Sequence, residues 1–178
     1  MRVAPRAVIL DRPFLSPHSL NWTNIPDFTT TLLDVDQILE ILRLGPNLTK
    51  LHFDLISSRD ALSPDEAYKH VVHPNIEFLD IGILSLMNLF FTSITLPSLD
   101  DLTLRGDCEH LPTEPLIEFF ECSINYLKNL SLDDWVLTIE DAIVMAKAIP
   151  SSSDRCRRRT HIDRATTSTA SNLLVVWR

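Results

Sequence analysis

The chain has 178 residues, 45 % of them apolar, which is enough length and hydrophobicity for one domain with a real core and too much hydrophobicity for a disordered segment. Three glycines against eleven prolines exclude a fold built on Asn-Gly or Asp-Gly hairpins. The net charge of −8 is uneven: residues 151–178 hold six Arg and two Asp, a net of +4, so residues 1–150, with 10 basic and 22 acidic residues, carry −12. An acidic body argues against a nucleic-acid-binding face on it, because neutralising phosphates needs Lys and Arg.

Residues 1–15 carry arginine and proline without a pattern and read as a short, poorly ordered lead-in. Only Ala7 to Leu10 are apolar before Asp11, too short a run for a signal peptide. From residue 16 to 150 a P-x-L-x-x-L-x-L phrase recurs. It is fullest at Pro97–Leu104 and repeats at Pro46–Phe53 and Pro74–Ile81. Tyr126–Leu132 lacks the proline, and His18–Trp22 reads as a worn first copy. The central apolar residue falls at 20, 51, 79, 102 and 130, in steps of 31, 28, 23 and 28. L-x-x-L-x-L recurring near this period, with a helix between copies, is the pattern of leucine-rich repeats. The predicted fold is therefore α/β: an irregular leucine-rich repeat solenoid of about five repeats, with a parallel sheet on the concave side and helices on the convex side. Parallel strands need a crossover between them, and the intervening helices provide it.

Helix starts are well marked. Asp34 with Gln37 forms a capping box ahead of the stripe Val35, Ile38, Leu39 and Leu42. Ser63–Glu66, with Pro64 at the first helical position, predicts a helix whose apolar face is Ala67, Tyr68, Val71 and Val72. Thr113–Pro115 opens a helix through Leu116 to Phe120, and Thr138 with Asp141 opens another through Ala142 to Ala148. Ile81 to Leu99 runs without a charge and has the length of a membrane span. Gly82, Asn88 and Pro97 interrupt it and both ends belong to strand phrases, so it reads as a buried helix with Leu84, Met87, Phe90 and Ile94 on one face, and no membrane is expected.

Regular arrays often hold Asn three residues after the last strand leucine. Here that slot holds Ile25, Ile56, Leu84, Asp107 and Trp135, so no asparagine ladder is expected and the turns should close by apolar packing. After Pro150 the pattern stops, and residues 151–178 read as a basic, disordered tail that cuts the array short.

Little in the chain encodes chemistry. His70 and His73 have the spacing of one helical face but no third ligand nearby, so no metal is expected. Cys108-Glu109-His110 sets a nucleophile beside a base, but sequence neighbours seldom reach that geometry. Glycines at 45, 82 and 106 make no phosphate loop, and no cofactor is expected. Three cysteines (Cys108, Cys122 and Cys156) form no framework and point to a reducing compartment, cytoplasmic or nuclear. Arg155 to Arg159 read as a solvated basic run. The informative residues are those that alternate away from the strand leucines: Ser19 and Asn21; Lys50, His52 and Asp54; Phe78 and Asp80; Asp101, Thr103 and Arg105; Asn129, Ser131 and Asp133. In a parallel sheet they share one face and make a mixed, largely acidic surface suited to a protein or peptide partner with basic groups.

The run from Leu32 to Pro150, with LRLGPNLTKLHFD, HPNIEFLDIG, LPSLDDLTLRG and YLKNLSLDDW, resembles the leucine-rich portion of fungal F-box proteins. The resemblance covers about two thirds of the chain. It implies a non-enzymatic, substrate-recognition subunit of a cullin-based ubiquitin ligase, whose repeats hold the substrate while an F-box binds the adaptor. This chain departs from the family in one respect: residues 1–19 are too short to hold an F-box. The alternative is a stand-alone repeat scaffold or inhibitor without a ligase role. A hydrolase using Cys108 is the third class.

Overall fold

The computed structural model describes residues 7–10, 16–55, 69–83, 87–106, 111, 113–123, 127–135, 138–148 and 173–176. The predicted helix start at Ser63–Glu66, the Cys108–His110 triplet, Cys156, the Arg155–Arg159 run and the turn slots at 56, 84 and 107 lie outside these residues.

The chain is mixed α/β, built on a seven-stranded, mostly parallel sheet. In chain order the elements are β1 (Val8–Leu10), β2 (Asp27–Thr30), α1 (Val35–Leu44), β3 (Lys50–Leu55), β4 (Val71–Val72), β5 (Phe78–Ile83), α2 (Met87–Thr92), β6 (Ile94–Thr95), β7 (Asp101–Gly106), α3 (Thr113–Ser123), β8 (Asn129–Asp133), α4 (Ile139–Ala148) and β9 (Leu173–Val176). The large sheet runs β1-β2-β3-β5-β7-β8-β9, and β4 and β6 form a separate parallel pair. Every pairing in the large sheet is parallel except β8 with β9, which is antiparallel.

Register explains the sequence phrase. Phe28, Leu51, Leu79, Leu102 and Leu130 stand opposite one another across five strands. Phe53, Ile81, Leu104 and Leu132 form the next buried row. The residue three before each central position is also buried: Ile25, Leu48, Ile76, Leu99 and Leu127. The turns stack with equal regularity. Pro26 O accepts the N–H groups of Thr49 and Lys50, and Thr49 O those of Glu77 and Phe78. Glu77 O takes those of Asp100 and Asp101, and Asp100 O those of Lys128 and Asn129. One carbonyl serving two amides of the next turn, four times over, satisfies backbone groups that apolar packing alone would strand.

The first strand phrase differs from expectation. His18–Trp22 is not a strand; Pro17–Ser19 and Trp22–Asn24 are 3-10 turns, tied by Trp22 Nε1–H donating to Pro17 O. The strand is β2, where Ile25-x-x-Phe28-x-Thr30 fills the L-x-x-L-x-L positions. Phe and Thr disguise the phrase, but the buried rows place them without ambiguity, and the steps from Phe28 onward become 23, 28, 23 and 28. Two segments read as unpatterned also contribute strands. Within 1–15, Val8–Leu10 pairs with β2, and within 151–178, Leu173–Val176 pairs with β8. Short apolar runs are ambiguous by themselves; here a neighbouring strand edge with free backbone groups captures them.

Three helix starts form as the capping signals predict. Gln37 N–H donates to Asp34 Oδ1 at 2.8 Å and Asp34 N–H donates to Gln37 Oε1 at 3.3 Å, closing the capping box of α1. Its stripe of Val35, Ile38, Leu39 and Leu42 is buried. At α4, Thr138 N–H donates to Asp141 Oδ2 and Asp141 N–H to Thr138 Oγ1. α3 buries Leu116, Phe119 and Phe120. Val71 and Val72, predicted helical, instead form β4 against β6. Adjacent β-branched residues prefer extended backbone, and Val71 N–H finds Ser93 O. Among the described residues of the uncharged run after Ile81 the helix is α2, six residues long, with Ile94 in β6 rather than on the helix. Among the described residues no helix is long and apolar enough to cross a membrane.

Helix and sheet side chains form one buried cluster on one side of the large sheet. A line of rings runs through it: Phe53, Phe90, Phe91, Phe119 and Phe120, with successive centroids 5.8, 5.3, 4.8 and 6.0 Å apart. Along β3, β5, β7 and β8 the opposite face carries polar side chains and Phe78.

Candidate functional site

The polar sheet face follows from strand alternation. Lys50, His52 and Asp54 lie on β3 and Phe78 and Asp80 on β5. Asp101, Thr103 and Arg105 lie on β7, and Asn129, Ser131 and Asp133 on β8. All are exposed or half-buried, while the residues between them belong to the core. Register brings them into rows: Lys50–Phe78–Asp101–Asn129, then His52–Asp80–Thr103–Ser131, then Arg105–Asp133. Ser19 and Asn21 are exposed but sit on the 3-10 turns, not on this face. In their place β2 supplies Asp27 and Thr29, opposite Lys50 and His52. The signal for them was Ile25-x-x-Phe28, which a search for leucine passes over.

Four of these residues form a network spanning three strands. Arg105, on β7, reaches across β5 to β3. Its Nε–H donates to Asp80 Oδ1 at 2.8 Å, and its Nη2 donates to Asp54 Oδ1 at 3.1 Å. His52 Nδ1 stands 2.7 Å from Asp80 Oδ2, and its Nε2 stands 3.3 Å from Arg105 Nη2. A guanidinium only donates, so the contact with Arg105 uses His52 Nε2 as the acceptor and leaves Nδ1–H to donate to Asp80. Asp80 thus uses both oxygens, and its side chain is only 15 % exposed. Burial works against the charge on Arg105, but hydrogen bonding and attraction from Asp80, then Asp54, outweigh it and raise its pKa. A raised pKa on a base contributes stability at every pH below the group's ordinary value and loses it only in strong alkali, so Arg105 stays a fixed cation throughout the working range.

The Asp54 carboxylate that Arg105 reaches has its place because Gly82 lies under it. A Cβ on Gly82 would stand 2.1 Å from Asp54 Oδ1 and 3.5 Å from Arg105 Nη2. At the far end of β7, Gly106 is flat against the Trp135 indole, whose Nε1–H donates to Leu104 O at 3.1 Å. Both glycines were visible in the sequence, but only the register shows what passes over them.

The rest of the face is differently balanced. Asp101 accepts from Asn129 Nδ2, and Asp133 Oδ1 accepts from Ser131 Oγ at 2.8 Å. Among the described residues no cation pairs with either carboxylate. Arg105, the direct strand neighbour of Asp133, turns the other way. The face holds Asp27, Asp54, Asp80, Asp101 and Asp133 against Lys50 and Arg105, and Arg105 is committed to the β3–β5 side.

The other candidates resolve locally. His70 contacts Thr92 O and Thr95 Oγ1, whereas His73 is buried and donates from Nε2 to Gly45 O at 2.9 Å. Their rings serve separate turns, and among the described residues no group of three His, Cys, Asp or Glu is placed to hold a metal. A groove of about 510 Å³ between α3 and α4 is edged by Glu114, Glu140 and Asp141. These acids occupy first turns, where the helix dipole favours them. Cys122 is exposed on α3 as a free thiol.

Comparison with models of protein families, with curated proteins and with solved structures finds no significant match.

Proposed function

We propose that this chain is a leucine-rich repeat module that binds another protein on the polar face of its sheet, as the substrate-recognition part of an F-box-type ubiquitin ligase receptor. One observation carries the binding part. Five parallel strands place the same L-x-x-L-x-L phrase in register, so the intervening polar residues accumulate on one continuous face that no helix of the described residues covers. Such arrays bend with the polar face inward, and a curved, side-chain-rich surface of this kind suits a protein partner. The ligase role adds the resemblance to fungal F-box proteins, and its setting is the cytoplasm or nucleus. No step of chemistry is assigned to the chain: its one histidine–carboxylate pair on this face is closed by Arg105 rather than open to a substrate.

A stand-alone scaffold or inhibitor is the second reading. The in-row polar residues of β3, β5, β7 and β8 support it equally, because a scaffold or inhibitor needs the binding face and nothing more.

Affinity capture from a fungal lysate tests both. The chain is compared with Thr103→Trp, which fills the middle of the polar face, and with Glu118→Trp on the exposed side of α3. Partners lost with the first variant and kept with the second are expected. Equal recovery with both overturns the binding face. Adaptor and cullin among the partners support the ligase reading, and a single unrelated partner supports the scaffold.

A further inference from the structure

Charge on the polar face is arranged asymmetrically, and this defines the partner. On the β3–β5 side, Asp54 and Asp80 are held by Arg105 and His52. On the β7–β8 side, Asp101 and Asp133 accept, among the described residues, from the neutral donors Asn129 and Ser131, which orient the carboxylates without cancelling their charge. Between them lie the hydroxyls of Thr103 and Ser131, directly opposite each other across the strands. Asp133 stands opposite Arg105, four residues along β7 from Asp101. At strand rise that separates the two carboxylates by about 13 Å along the strand direction.

We infer that the β7–β8 side of this face takes an extended basic segment of a partner protein, with two Lys or Arg side chains four residues apart. An extended chain sets side chains i and i+4 on one side at the same spacing of about 13 Å. Its cations then meet Asp101 and Asp133 together, while the polar residue midway between them meets Thr103 and Ser131. A helical segment needs about nine residues to cover that distance and is far wider than two strand rows. A patch of acid alone would accept any cation; the fixed spacing and the hydroxyl pair between the two carboxylates make the recognition selective. The inference rests on the reading that this sheet face is the binding surface.

The test uses the full chain and two labelled peptides of identical composition. One has two Arg separated by three small polar residues, and its isomer has the two Arg adjacent. Binding is followed by fluorescence anisotropy at low salt. The spaced peptide is expected to bind about fivefold tighter than the isomer, and Asp101→Asn with Asp133→Asn to weaken it about tenfold. Glu118→Gln, on the helical side, should leave it unchanged. Equal binding of the isomers, or no loss in the double variant, overturns the inference. Thr103→Trp separates the two levels. If it abolishes binding while the double variant does not, the face binds but not through these carboxylates, and only this inference fails. If neither variant matters, the binding face itself fails. Binding that appears only after Arg155, Arg157, Arg158 and Arg159 are replaced by Ser assigns the face to the chain's own basic segment and also overturns the proposal.

Discussion

At Gly82 a single hydrogen in place of a methyl group leaves room for the Asp54 carboxylate to lie over β5, where Arg105 meets it. A Cβ there would lie 2.1 Å from Asp54 Oδ1, well inside any tolerable contact. Asp54 would have to swing away, and Arg105 would lose one of its two carboxylates while remaining charged. Gly82→Ala is therefore expected to lower stability by about 1–3 kcal/mol, the usual cost of overpacking. Ordinary strand propensity would push the other way, since glycine is a poor strand former. The balance is checked by urea denaturation of four proteins: parent, Gly82→Ala, Asp54→Ala and the double variant. In the Asp54→Ala background the obstructing atoms are gone and the cost of Gly82→Ala should shrink below about 0.5 kcal/mol. An undiminished cost would place the conflict elsewhere. At Leu32 and Asp134 the strain is of a different kind. Both have positive φ, at 52° and 64°, and both stand four residues after the central row position, Phe28 and Leu130. The turn geometry after β2 and β8 asks for the left-handed region, which an aspartate tolerates better than a leucine.

Turns and strands show how far the sequence could be read and where it stopped. The central leucine rows, the capping boxes of α1 and α4 and the residues of the polar face were legible because each follows from a period of two or 3.6 and a local hydrogen bond. What escaped depends on a partner distant in the chain. Val71 and Val72 became a strand because Ile94 and Thr95 lie beside them, and β2 was hidden by phenylalanine and threonine in leucine positions. The asparagines were misjudged in the same way. The slot three residues after the last strand leucine has none, yet Asn47 Nδ2 donates to Thr23 O at 2.6 Å and Asn75 Nδ2 donates to Pro46 O at 2.8 Å. A short asparagine ladder does exist, four residues ahead of the central leucine instead of behind it. His73 strengthens it: its ring is 2 % exposed, donates to Gly45 O, and accepts from Asn75 N–H at 3.4 Å. His73→Leu keeps the volume but strands a carbonyl and an amide, so a loss of about 1–3 kcal/mol is expected in thermal unfolding. Asn75→Ala, at an exposed site, should cost about 1 kcal/mol or less. If His73→Leu is neutral, the turn draws its stability from apolar packing, as the sequence by itself suggested.

Across the whole molecule, cohesion depends on units that cannot stand alone. Each strand–helix unit buries only a few large side chains, each worth about 1.5–3 kcal/mol, and fixing each residue's backbone costs about 1–2 kcal/mol. Stability therefore comes from stacking, through the ring line from Phe53 to Phe120 and the rows that cross five strands. Leu102 sits at the middle of one row and is fully buried, with Leu79 and Leu130 on either side. Leu102→Asp places a charge where no cation can reach it, and is expected to cost several kcal/mol and to unfold every unit together. Asp101, one residue away, points to the opposite face, where Asn129 is its one side-chain donor among the described residues. Asp101→Ala should change stability by no more than about 0.5 kcal/mol. Hydrogen exchange followed by mass spectrometry reads both outcomes and adds a spatial one. Leu102→Asp should remove protection from β3, β5, β7 and β8 alike, because all four share the row that it breaks. Loss confined to β7 and its neighbours would mean that the units unfold separately, and the stack would then be held by nearest-neighbour contacts alone. Parent-like protection in both variants would reverse the assignment of the sheet's two faces, on which the binding surface depends.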